Sequence, residues 1–204
     1  MRYILSFGLL WGLAESIIPW VLKAGCPGTS IGSLMAGLAF FFLAGSYFSS
    51  HRMSAPLMIA VIAAIIKLTG LTIRHAAIPT GLWLNPIGAY ALQAILFRLG
   101  MQFRNRSSSL QILATGIISG GLAGLFYPTV IGMMGQSACI HPDSGIAVSV
   151  YYAPLTAAIA GPASLAGYHI GRFLYSGHQR LPQLHPLGYW LVNLIILGSS
   201  LILN

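Results

Sequence analysis

The chain has 204 residues, of which 56% are hydrophobic and only 6% charged, and its mean hydropathy is +0.81. Water-facing domains carry roughly one quarter charged residues. Two acids, Glu15 and Asp143, stand against ten Lys and Arg, too few charges to cover a soluble surface, so the composition excludes an ordinary cytosolic protein. Although the net charge is +8, the basic residues sit singly or in small clusters beside apolar runs. That pattern fits topology control and contact with anionic lipid, and it gives a nucleic-acid partner no support.

A hydrocarbon layer of about 30 Å asks for about 20 mostly apolar helical residues. On that measure seven spans are expected, at 3–22, 31–49, 55–73, 86–103, 109–134, 147–171 and 187–203. The first reads as a mature helix rather than a cleaved leader, because Trp11, Glu15 and Pro19 interrupt its apolar stretch. The separators between spans have turn or charge chemistry, among them Lys23 to Gly28, Ser50-His51-Arg52, Pro79-Thr80-Gly81 and a loop from Gly177 to Pro186. No stretch alternates polar and apolar residues as a membrane β-strand would. The expected fold is therefore all-α, a polytopic transmembrane helical bundle of six to seven spans forming one integral membrane domain over 1–204. The last span is the weakest, since Gln183, His185 and Pro186 crowd its start.

Orientation follows from the positive charges. If the spans alternate strictly, Arg2, Arg52, Arg98, Arg104, Arg106, Arg172 and Arg180 fall on the side of the N-terminus, and only Lys23 and Arg74 on the other. The basic side is the cytoplasmic one, so the expected location is the inner (plasma) membrane, multi-pass, with the N-terminus in the cytoplasm.

Small residues recur every fourth position at Gly8/Gly12, at Gly116/Gly120/Gly124 and at Ala163/Gly167/Gly171. Such faces let helix backbones approach closely in lipid. Two uses stay open, packing within the chain and docking against a partner subunit. Pro19, Pro128, Pro154 and Pro162 interrupt spans, which lipid tolerates where neighbouring helices, polar side chains or a cavity satisfy the freed carbonyls.

The first span contains Glu15, the third Lys67 and the fourth Gln93. A charge facing hydrocarbon is costly, so Glu15 and Lys67 are expected to face inward. Counted from the expected outer helix ends, all three lie about 9–11 Å deep, which permits a Glu15–Lys67 ion pair supported by the Gln93 amide. Two readings of this layer stay open: a structural pin that sets helix register, and a ligand or ion site. Above it lie Trp20, Trp83, Asn85 and Tyr151, read either as interfacial anchors or as the aromatic mouth of a pocket. Within Pro79 to Pro86, Asn85 reads as an N-cap with Pro86 at the first helical position, and the segment as a rigid roof over the pocket.

No phosphate loop, His-Glu-x-x-His, CxxC or acidic pair is present. An enzyme is not expected, and no catalytic residue, metal or cofactor is assigned; His75 and His141 read as interfacial histidines before metal ligands. Cys26 and Cys139 both fall in outer loops and are read either as one disulfide or as two thiols.

Two stretches carry a resemblance. The small-residue first helix Gly8-Leu-Leu-Trp11-Gly12-Leu-Ala14-Glu15 and the stretch Asn85-Pro86-Ile-Gly-Ala-Tyr-Ala-Leu-Gln93 resemble the substrate-capture S component of energy-coupling factor vitamin transporters. The resemblance covers about the first 105 residues; S components usually have six helices and often an acidic residue where Gln93 stands. It implies a non-catalytic membrane subunit that binds a small nutrient, such as a vitamin or a precursor, in the outer half of its bundle. It further implies as partners a small-molecule ligand, the lipid bilayer, and a transmembrane scaffold with ATPase subunits. Two other classes stay open, a scaffold subunit of a larger membrane complex and a small membrane enzyme or cofactor-binding protein.

Overall fold

The computed structural model describes residues 2–21, 29–74, 80–103, 108–133 and 145–180. The described residues form six α-helices: α1 (Arg2–Val21), α2 (Thr29–Ser50), α3 (Ala55–Arg74), α4 (Thr80–Gln102), α5 (Ser109–Met133) and α6 (Gly145–Arg180). Helix α2 packs against each of the other five, which follow one another around it in the order α1, α3, α4, α5, α6. The Tyr3 hydroxyl donates to the Leu174 carbonyl at 3.2 Å and ties α1 back to α6.

Local chemistry explains several helix ends. Ser108 accepts the Gln111 amide at 3.3 Å as the N-cap of α5. At the end of α2, His51 takes a left-handed conformation, φ 52°, and its amide donates to the Tyr47 carbonyl at 2.8 Å. The strain is held by packing, since the His51 ring meets Tyr175 of α6 at 4.2 Å between centroids.

The small-residue stripes are used up inside the chain. A Cβ on Gly8 or Gly12 would strike Ile62 or Ile66 of α3, and one on Gly120 would lie 2.4 Å from the Ala160 Cβ of α6. Gly167 and Gly171 meet the main chain of α2 at Phe41 and Gly45. These contacts make α1 run parallel to α3 and α2 parallel to α6, while α5 runs antiparallel to α6. Consecutive helices therefore alternate in direction, and Arg2, Arg52, Arg98, Arg172 and Arg180 gather at one end of the bundle, with Arg74 at the other.

Inside and outside are distributed unusually. Ser33, Ser46, Ser49, Ser119, Thr156, Ser164 and Gln93 are buried, whereas Val61, Ile65, Ile118 and Val150 are each more than half exposed. Several of the buried hydroxyls spend their donor on the helix itself, as Ser46 does on Leu43 O at 2.9 Å and Thr115 on Gln111 O at 2.8 Å. Others join helices: Ser33 and Thr156 pair at 3.0 Å between α2 and α6, and Ser119 of α5 donates to Leu96 O of α4 at 3.1 Å. Two segments, Gly32–Ser50 and Ser109–Pro128, are long and apolar enough to cross a membrane.

Two expected boundaries are corrected. Helix α4 begins at Thr80, so Trp83 and Asn85 lie within the helix and Asn85 is not its N-cap. The cap signal of Asn85 loses to Thr80, a cap-type residue itself and the first after Pro79. Helix α6 does not stop at 171 but continues to Arg180. Gly177 and His178 read as the start of a loop, yet a polar residue such as His178 does not break a helix; Pro182 disfavours helical conformation only from the residue before it. The expected span 187–203, Cys26, Cys139, His75 and His141 lie outside the described residues.

Candidate functional site

The polar layer is built from four helices. On α1, Trp11 and Glu15 are one turn apart and share a face, and the indole Nε1 donates to Glu15 Oε1 at 3.3 Å. The Trp11 ring is fully buried and leans on Tyr90 of α4, with centroids 4.9 Å apart and planes 54° from parallel. The Tyr90 hydroxyl interacts with the Glu15 carboxylate and lies near Tyr127 of α5.

Lys67 of α3 reaches the same place by another route. Its ammonium donates to the main-chain carbonyl of Glu15 at 3.0 Å, and its charge also acts on the Glu15 carboxylate. The availability of that carbonyl is written in the covalent structure. In an α-helix it would accept from the amide four residues on, but residue 19 is proline and has no N–H. Lysine supplies the missing donor, and the acid and the base meet between helix backbone and ammonium.

Gln93 is placed differently from its expected depth. It is buried, three residues beyond Tyr90 on the same face of α4, and its Oε1 has no hydrogen-bond partner. Because α4 starts at Thr80 rather than at Pro86, Gln93 lies ~20 Å from the start of its helix, against ~9 Å for Glu15 and ~10 Å for Lys67 from the helix ends at the same end of the bundle. No hydrogen bond links it to either residue among the described residues. The structure thus joins Glu15 to Lys67, and leaves Gln93 as a second, deeper polar group below Tyr90.

Of the expected mouth, Tyr151 is 57% exposed and turned to the outside of α6, so it does not line an inward pocket. The 100° step of a helix gives the inward position to its neighbour Tyr152, whose ring sits against Gly32 of α2. Trp20, Trp83 and Asn85 lie on helical backbone, and their side chains are outside the described part of the structure. Sequence reasoning missed Trp11 and Tyr90. The signal for each was spacing: Trp11 is four residues before Glu15, and Tyr90 three before Gln93.

The layer therefore offers one carboxylate, one ammonium and one phenol beside the tilted Trp11–Tyr90 ring pair, with the Gln93 amide deeper. It can bind and orient hydrogen-bonding groups; nothing in it forms a nucleophile–base pair. Compared with known families, curated proteins and solved structures, the chain matches none.

Proposed function

We propose that the protein is a polytopic inner-membrane bundle with its N-terminus in the cytoplasm, and that it binds a small nutrient in its outer half for uptake without catalysing a reaction. Support for the membrane reading comes from buried serines and threonines combined with exposed Val, Ile and Leu, the reverse of a water-soluble surface. At ~54 Å by its 36 residues, α6 exceeds a ~30 Å hydrocarbon layer, so its Arg172–Arg180 end stands among headgroups or in the cytoplasm. Gathering of arginines at that end supports the orientation.

One observation carries the ligand reading: Gln93 Oε1 is buried without a hydrogen-bond partner below the Glu15 layer. Buried polar atoms are ordinarily satisfied, and an orphan costs about 1–3 kcal/mol. A ligand that donates to Gln93 would recover that cost. The atom is shut off from solvent, so the reading requires α1 and α4 to part as ligand enters. Gln93 lies just past the midpoint of α4 and would form the floor of the outer-half, non-catalytic site that the S-component resemblance implies. Docking on a transmembrane scaffold with ATPase subunits, if it occurs, uses faces other than the glycine stripes, which are already filled.

The test is native mass spectrometry of gently purified protein, followed by thermal unfolding with any small molecule that co-purifies. The ligand should raise the melting temperature of the wild type, and Gln93→Leu should abolish the rise while leaving the empty protein equally or more stable. A stabilisation that survives Gln93→Leu and Tyr90→Phe would remove these residues from the site.

A further inference from the structure

Arg98 is a cation without a counter-charge among the described residues. It lies on α4, four residues before the helix ends at Gln102, and thus in the half of the bundle where Arg2, Arg52 and Arg172 also lie. Its side chain is only partly exposed, and its Nε is buried with no hydrogen-bond partner. Among the described residues the single carboxylate side chain is that of Glu15, which belongs to the layer with Lys67. No described group supplies an anion to Arg98.

The faces of α4 say where it would sit. Tyr90, Ala94, Phe97 and Met101 face the core. Leu96 and Gly100 meet Ser119 and Thr115 of α5. A step of 100° per residue puts Arg98 on the flank away from α5, toward α3, which is the other peripheral neighbour of α4. Arg52, exposed in the turn that leads into α3, marks the same end of that groove. Alongside it the outward surfaces of both helices are apolar, with Val61 and Ile65 on α3 and Ile95 and Leu99 on α4.

We infer that the α3–α4 groove holds the headgroup phosphate of an anionic glycerophospholipid of the cytoplasmic leaflet on Arg98, with Arg52 at its mouth and the acyl chains against the apolar faces of α3 and α4. This inference rests on the membrane reading above, and not on the nutrient site. The chemistry fits: a guanidinium is the side chain best matched to a phosphate, and basic pockets between helices on the cytoplasmic side hold lipid headgroups. Arg172 makes a useful contrast, since it is engaged by the Tyr168 hydroxyl at 2.7 Å and by the Tyr168 ring at 5.4 Å.

The experiment is native mass spectrometry of the full chain in neutral detergent, titrated with phosphatidylglycerol or phosphatidylcholine, with Arg98→Gln, Arg98→Lys and Arg172→Gln alongside the wild type. Wild type should retain phosphatidylglycerol in preference to phosphatidylcholine; Arg98→Gln should lose about tenfold or more of that affinity, Arg98→Lys should lose less, and Arg172→Gln should match the wild type. Equal retention by wild type and Arg98→Gln, or no preference between the two lipids, overturns the proposal. Displacement of phosphatidylglycerol by millimolar inorganic phosphate also overturns it, assigning Arg98 to free phosphate instead. Should Arg98→Gln not fold, thermal unfolding of the wild type decides: a larger rise with phosphatidylglycerol than with phosphatidylcholine supports the site, and equal rises overturn it. Recovery of the protein from the aqueous phase without detergent is a separate outcome, and it sinks the membrane reading rather than the Arg98 assignment.

Discussion

The Lys67 ammonium donates to the Glu15 carbonyl at 3.0 Å, the one carbonyl that Pro19 deprives of its helical donor. The two residues are 52 apart in sequence and belong to parallel neighbours, α1 and α3. A proline on one helix has thereby created a binding position for a lysine on another.

That relationship predicts a coupling. Pro19→Ala restores an amide to the Glu15 carbonyl, so Lys67→Met should cost less in the Pro19→Ala background than in the wild type, by about 1 kcal/mol. Any general effect of removing the lysine charge cancels in the double-mutant cycle. Unfolding in detergent measures it, and strictly additive effects would contradict the contact. Glu15→Gln leaves the main-chain acceptor in place, so it should cost less than a change that strands Lys67 with no acceptor.

Trp11 is fully buried between its hydrogen bond to Glu15 and its tilted ring contact with Tyr90. Trp11→Phe should lose about 1 kcal/mol, the worth of one hydrogen bond plus some packing, and Trp11→Ala about 3–5 kcal/mol through the cavity it leaves. Chemical denaturation of the two variants would show whether the ring or the N–H matters more.

Helix contacts through glycine predict a sharp contrast. At Gly120 a Cβ would come within 2.4 Å of Ala160, whereas at Gly88 nothing lies within 4 Å. Gly120→Ala should destabilise by about 1–3 kcal/mol through overpacking. Gly88→Ala should stabilise by up to about 1 kcal/mol through helix propensity. Thermal unfolding of both variants under one condition checks the sign of each.

Topology has its own test. Reporter fusions after Arg106 and after Gly135 lie on opposite sides of α5 and should report opposite compartments, with Arg106 cytoplasmic. Identical signals would refute the alternation across a membrane.

The sequence by itself determined the helical class, because long apolar runs without period-two alternation, separated by turn and charge chemistry, read as helices rather than strands. It also determined, through the covalent nature of proline, that the Glu15 carbonyl would need an outside donor, and, through its count of two acids, that most arginines would lack a carboxylate. Which donor arrives was decided only by tertiary structure, since nothing local to Lys67 reveals that α3 runs beside α1. The same holds for the glycine stripes, where spacing announces a close approach but not the surface approached. Gln93 shows the reason most plainly. Its depth was reckoned from a helix end signalled by Asn85 and Pro86, a local preference, and the actual start at Thr80 moved it by six residues, ~9 Å along the axis. Local signals set the periodicity of a helix strongly and its ends weakly, whereas meeting at a site depends on where ends fall and on which faces the packing of all six helices turns inward.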